Sequence, residues 1–221
     1  MMAHGQLTWS LVVPVKTLAR AKSRLAVLAG PVRPALALAV AADTVRAALD
    51  CPPVRHVIVV TDDELAAAEL GRLGAVVLAD EPDAGLNPAL EYGAGAAVAR
   101  DPRSGVGALS ADLPALRPTE LHRALRHAAR WPQAIVSDSA GLGTTLYTAR
   151  PGVPFRPRFG PGSRRRHIDA GAREISPDDL PGLRRDVDTA ADLGEAAALG
   201  LGPATAPLAA RLLRGSGAVR R

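Results

Sequence analysis

The sequence is poor in cysteine, lysine and aromatic residues, and each shortage excludes something. A single cysteine, Cys51, leaves no partner for an internal disulfide, so a reducing compartment is the expectation. Aromatic residues make up only 3% of the 221, against 48% hydrophobic overall, so the core is written in Ala, Val and Leu. That suits buried strands covered by alanine-rich helices. No run is long and apolar enough for a membrane span or a secretion signal, and a cytoplasmic protein is expected. No G-x-x-x-x-G-K-[ST] loop occurs, which removes ordinary P-loop ATPase or kinase chemistry. His122 and His127 miss the i, i+4 spacing of a zinc pair, and His167 reads as structural or as a support behind the site. The formal charge of +5 admits an acidic partner, but no aromatics are interleaved with the basic residues as base-stacking platforms. Nucleic acid and membrane surfaces are therefore not expected partners. Oligomeric state is left open.

What is present alternates. Ser10 to Val15 is a short apolar run followed by a basic connection and a long alanine-rich helix from Val32 to Leu49. His56 to Val60 and Ala75 to Ala79 read as strands around a helix over Glu64 to Leu73. Helix, strand and helix follow at Asn87 to Arg100, Val106 to Leu109 and Pro118 to Arg130, then two strands at Ala134 to Val136 and Thr144 to Thr148. A Pro, Gly and Arg-rich loop runs from Pro151 to Pro161, a helix begins near His167, and Asp186 to Leu199 passes from a strand end into a last helix. The expectation is one doubly wound α/β domain over residues 1–202, with 203–221, including Arg220 and Arg221, as a loosely held tail.

In such sheets ligands bind beyond the carboxyl ends of the strands. Asp62 and Asp63, Asp112 and Asp188 all fall at predicted strand ends. Carboxylates there suit Mg²⁺, which keeps several waters and bridges to phosphates. Equally, an Asp before a helix caps it, a reading that competes at Asp63 and Asp188 more than at Asp112, where Leu113-Pro114 intervenes. The first loop, Lys16 to Arg24, carries Lys16, Arg20, Lys22 and Arg24, and holds the only two lysines beside 25 arginines. A compact ammonium at a strand end suits polyphosphate. Phe159 to Ser163 (FGPGS) followed by Arg164, Arg165 and Arg166 offers backbone N–H groups, a hydroxyl and guanidinium as an anion cradle. Gly93-Ala94-Gly95 and Gly141-Leu142-Gly143 lie in the wrong context for a dinucleotide fingerprint.

Taken in order, LVVPVKTLARAKSRL, VIVVTDD, GLNPAL, LSADLPAL, GLGTTLYTA, FGPGSRRRH and DVDTAADL resemble the CofC/FbiD guanylyltransferases of coenzyme F-420 biosynthesis, across most of the chain. The resemblance implies a Rossmann-like, GT-A-like nucleotidyltransferase fold with a mostly parallel sheet and helices on both faces. It implies that GTP and Mg²⁺ meet a small phosphorylated three-carbon acid, phosphoenolpyruvate first and 2-phospholactate as the alternative. Carried onto matching positions, Thr145, Gly160 and Ser163 would hold the acid, and Asp112 and Asp188 the metal. Lys22 and Arg24 would face the GTP phosphates and act with Asp112 in catalysis, and Pro14, Lys16, Lys22, Asp62 and Asn87 would line the nucleotide site. Rival readings are an acceptor such as 3-phosphoglycerate, a sugar-phosphate or molybdopterin-type nucleotidyltransferase, and a basic polyanion-binding protein. The last predicts steep salt dependence and no turnover of GTP.

Overall fold

A computed structural model describes residues 7–19, 21–175 and 179–218. The expected tail arginines Arg220 and Arg221, and Arg20 of the first loop, lie outside them. Strand β1 (Trp9–Pro14) leads through two short 3-10 turns and the one-turn helix α1 (Ala26–Ala29) into α2 (Arg33–Leu49). Then come β2 (Val54–Val60), α3 (Glu64–Arg72), β3 (Val76–Leu78), α4 (Leu86–Arg100), β4 (Gly105–Leu109), α5 (Pro118–Ala128), β5 (Gln133–Ser137) and β6 (Thr144–Ala149). The chain ends through α6 (Ser163–Asp169), β7 (Arg173–Glu174), α7 (Pro181–Arg184), α8 (Ala190–Leu199) and α9 (Thr205–Ala218).

The strands form one sheet in the order β3-β2-β1-β4-β6-β5-β7. β1 pairs in parallel with β2 and β4, β2 with β3, and β5 with β7, while β6 runs antiparallel to both its neighbours. Alternation along β1 sorts the core onto two faces. Leu11 and Val13 pack with α2, α3 and α5 residues such as Val45, Leu70 and Leu121. Val12 points the other way, onto Leu90, Ala94 and Ala97 of α4. Gly93 lets α4 lie this close, since a Cβ there would stand 2.5 Å from a Val12 methyl. Gly93 therefore serves packing, whereas a Cβ at Gly95 would meet nothing within 4 Å.

Three differences from the sequence expectation have physical causes. The two-residue β7 is too short to carry a periodic signal. The Asp186 segment is irregular rather than a strand end, and α8 starts from a capping box of Thr189 and Asp192. The stretch expected as a loose tail instead forms α9, with Ala209 buried beside Leu36, Val40 and Leu193. Buried Asp43 of α2 anchors its start, its carboxylate accepting from the backbone N–H groups of Ala204 and Thr205 at 3.0 and 2.8 Å. That long-range cap cannot be seen in local composition.

Candidate active site

β1 leaves the sheet centre for β2 and β3 on one side, while its other neighbour is β4, so the strand order reverses between β1 and β4. Crevices form at such a switch point beyond the carboxyl ends of the strands. A cleft of about 400 Å³ opens there, lined by Pro14 at the end of β1 and Lys16 after it, Ser110 to Asp112 after β4, Leu86 and Leu90 of α4, Phe159, and Asp188. Lys22 and Arg24 complete its basic side.

Side chains from distant parts of the sequence hold the basic loop in place. Asp63 caps α3 by accepting from Ala66 N–H, and its second oxygen accepts from Leu18 N–H at 2.9 Å. Arg33 of α2 donates to the carbonyls of Ala19 and Ala21. Asp63 is thus a cap, as one of its two readings had it, and also an anchor. Lys22 itself adopts a left-handed conformation with φ 54°, an expensive choice for a residue with a Cβ. Its ammonium lies 2.7 Å from Asp112 Oδ2 and 3.1 Å from Asp188 Oδ1. Burial acts to lower the Lys22 pKa, but the two carboxylate charges and their hydrogen bonds outweigh it and leave it raised. Lys22 therefore remains a cation. Lys16 and Arg24 are exposed, and neither has an ion-pair partner among the described residues.

Sequence reasoning passed over Asp186, a partly buried carboxyl beside this pair. Burial, then the charges of Asp112, Asp138 and Asp188, push its pKa up to about 6. The signal was available in the D-V-D spacing, but only the fold shows that Asp186 shares the environment of Asp112. Among the described residues no group of three or more His, Cys, Asp or Glu side chains is arranged to hold a metal by itself. The oxygen pair Asp112 and Asp188 does fit Mg²⁺, which takes one or two carboxylates and fills its shell with waters and substrate phosphates. Their meeting on one ammonium shows that both carboxylates reach one cation position.

Other expected residues are nearby but differently employed. Asp62 does not line the cleft; its carboxylate accepts from Asp80 N–H beyond β3. Asn87 clamps the Pro-rich loop, donating to Phe159 O and accepting from Phe159 N–H at 3.1 and 2.8 Å. That clamp brings Phe159 to the cleft wall, so Asn87 acts on the cleft through Phe159. Thr145 sits next to the cleft through the bond from Ser110 N–H to its carbonyl, with its hydroxyl turned inward at 3.5 Å from Val136 O. Ser163 starts α6, only 2% exposed, and donates to Thr144 Oγ1 at 3.1 Å. Gly160 has φ 120°, and a Cβ there would stand 3.0 Å from the Arg166 guanidinium. Of the three arginines expected to serve the cradle, Arg164 forks onto Glu174 and Arg165 pairs with Asp169. Only Arg166 approaches Gly160.

His167 is the keystone of this wall. Its Nε2 accepts from Arg158 N–H at 2.9 Å, which assigns the ring proton to Nδ1 and makes Nδ1 the donor to Thr144 Oγ1 at 3.1 Å. The ring stacks on Tyr147 at 4.8 Å and meets Phe159 edge-on. Burial is the main reason its pKa is pushed down to about 4, so the imidazole is neutral. It is structural, as its sequence context suggests.

The family model described as "Guanylyl transferase CofC like" matches residues 9–208. A "Phosphoenolpyruvate guanylyltransferase" of Thermomonospora curvata is 67% identical over 94% of this chain and 91% of its own. One of Streptomyces coelicolor is 57% identical over 94% and 98%. Among solved structures, a nucleotidyl transferase from Methanothermobacter thermautotroptrophicus superposes with a TM-score of 0.60 at 19% identity, covering 87% of this chain and 97% of that one. The 4-diphosphocytidyl-2C-methyl-D-erythritolsynthase of Anaerococcus prevotii gives 0.59 at 10% identity, over 87% and 96%. At these identities the two structures speak to the fold alone.

Proposed function

The chain belongs to the family of CofC-like guanylyl transferases, and from that premise we propose how its cleft does the work. The reaction transfers GMP from GTP to the phosphate of phosphoenolpyruvate, the activity carried in the names of its high-identity relatives, and serves coenzyme F-420 biosynthesis, as the resemblance of its motifs implies. A phosphate oxygen of phosphoenolpyruvate attacks the α-phosphorus of GTP. One P–O bond forms, the bond from the α-phosphorus to the β-bridging oxygen breaks, and pyrophosphate leaves with the electron pair. The product is enolpyruvoyl-2-diphospho-5'-guanosine.

An acceptor phosphate is already an anionic nucleophile, so the protein needs to neutralise charge and align the groups rather than remove a proton. This removes any need for a histidine base, and neutral, buried His167 supplies none. The observation that carries the assignment is the Lys22 ammonium held between Asp112 and Asp188 at the mouth of the switch-point cleft. Lys16 and Arg24, without ion-pair partners among the described residues, meet the polyphosphate. Lys22 is positioned to follow the charge onto the leaving pyrophosphate. Pro14, Leu86 and Leu90 give the nucleotide an apolar wall. The acid lies on the side of Thr145, Gly160 and Ser163, with Asn87 setting that wall through Phe159. Asp112 and Asp188 hold Mg²⁺. The ion supplies electrostatic stabilisation of the phosphate oxygens. Asp62 works at a remove, by fixing the turn after β3.

Pyrophosphate release from GTP and Mg²⁺ tests the assignment, with phosphoenolpyruvate, 2-phospholactate and 3-phosphoglycerate as alternative acceptors and ATP as the alternative donor. Release that requires both GTP and phosphoenolpyruvate is expected. Release with 2-phospholactate instead would reassign the acceptor.

A further inference from the structure

A second concavity, of about 340 Å³, lies behind the Pro-rich loop and shares no lining residue with the cleft. Its lining includes Tyr147, Arg156, Arg158, His167 and Gln133. Tyr147 is 1% exposed, and its hydroxyl accepts from Arg156 N–H at 3.3 Å. That is the only hydrogen bond to this hydroxyl among the described residues, so none of them accepts its phenolic proton. Burial, the first cause, holds the Tyr147 pKa above its ordinary value, so the group stays a donor. The Arg156 and Arg158 guanidinium groups are both exposed and make no ion pair or side-chain hydrogen bond among the described residues. Both are close enough for their charges to act on the phenol.

The rim is fixed in place. Gln133 donates to Pro154 O at 2.8 Å, Arg158 N–H is tied to His167, and Phe155 packs on Tyr147 with ring centroids 5.2 Å apart. The pocket therefore brings together a phenolic O–H and two planar, permanently charged forks, beside the Gln133 amide. Guanidinium forks match the oxygens of phosphate groups, and a phenolic O–H beside them can donate to the same anion.

We propose that Tyr147, Arg156 and Arg158 form a second anion site, separate from the cleft, which binds the phosphate group of a small phosphorylated metabolite. The probe is inorganic phosphate, followed by its stabilisation of the protein against heat at constant ionic strength, with chloride as the reference. Three proteins are compared with wild type: Arg156→Gln/Arg158→Gln, Tyr147→Phe, which keeps the ring stack, and Arg24→Gln, which reports on the cleft. The double variant is expected to lose more than half of the phosphate-induced rise in Tm. Tyr147→Phe should need several-fold more phosphate for the same rise, and Arg24→Gln should retain the contribution of the second site. A double variant with the full wild-type response overturns the proposal.

Discussion

Lys22 and Asp112, 90 residues apart in sequence, meet in a 2.7 Å ion pair that also draws in Asp188. This contact ties the first loop to the end of β4 and to the start of α8. It places the single buried ammonium of the loop where two carboxylates can also take a divalent ion. On the proposed metal site, Lys22 and a divalent ion would compete for the same oxygens, and substrate phosphates would offer the ammonium a new partner.

Lys22→Gln should therefore tighten divalent binding while slowing the reaction. Removing a competing cation favours the metal, and Mn²⁺ titrated by paramagnetic resonance should bind several-fold more tightly than in wild type. Turnover should fall by about 10²- to 10³-fold, the usual loss on removing a preorganised charge-stabilising donor. Unchanged Mn²⁺ affinity would show that Lys22 and the metal occupy different places.

Asp63 links helix capping to the active loop, so its loss should be felt in both. Asp63→Ala removes the cap of α3 and the anchor on Leu18, at a cost of about 1–2 kcal/mol. Urea unfolding measures that cost. In the kinetics, KM for GTP should rise more than kcat falls, because the loop is misplaced rather than chemically altered.

Asp43→Ala leaves the N–H groups of Ala204 and Thr205 without their acceptor inside the protein. A loss of about 1–3 kcal/mol is expected for such groups. Hydrogen exchange should locate it: amides of α9 should exchange faster, while those of β1 and β4 keep their protection.

His167 gives a pH dependence with a defined sign. Its pKa is lowered from 6.5 to about 4 in the folded protein, so the unfolded chain binds the extra proton first. Its stabilising contribution is complete above about pH 6.5, falls as pH drops toward 4, and changes no further below that. The full span corresponds to a loss on the order of 3 kcal/mol. Denaturant unfolding between pH 7 and pH 5 should show stability falling with acid, and His167→Gln should flatten that slope.

Much of this was legible in the sequence because the relevant signals are local. Alternating apolar runs marked the strands, and Asp112 stood out because no helix followed it to be capped. The lysine monopoly of the first loop marked Lys22, although its left-handed backbone and its two carboxylate partners depend on the fold. The contacts of Asn87 and Asp43 and the surroundings of Asp186 were not legible because their partners lie far along the chain. Asn87 is 72 residues from Phe159, and Asp43 is more than 160 from the helix it caps. The Arg164 to Arg166 run looked uniform, yet Glu174 on the short β7 takes one fork out of the cradle.

Phosphorus NMR of a mixture of GTP, Mg²⁺ and phosphoenolpyruvate tests the central claim most directly, because it reports which phosphorus is attacked. The account predicts loss of the phosphoenolpyruvate resonance, a new pair of coupled diphosphate resonances, and one pyrophosphate for each acceptor consumed. Appearance of GDP with inorganic phosphate, and an unchanged phosphoenolpyruvate signal, would contradict it.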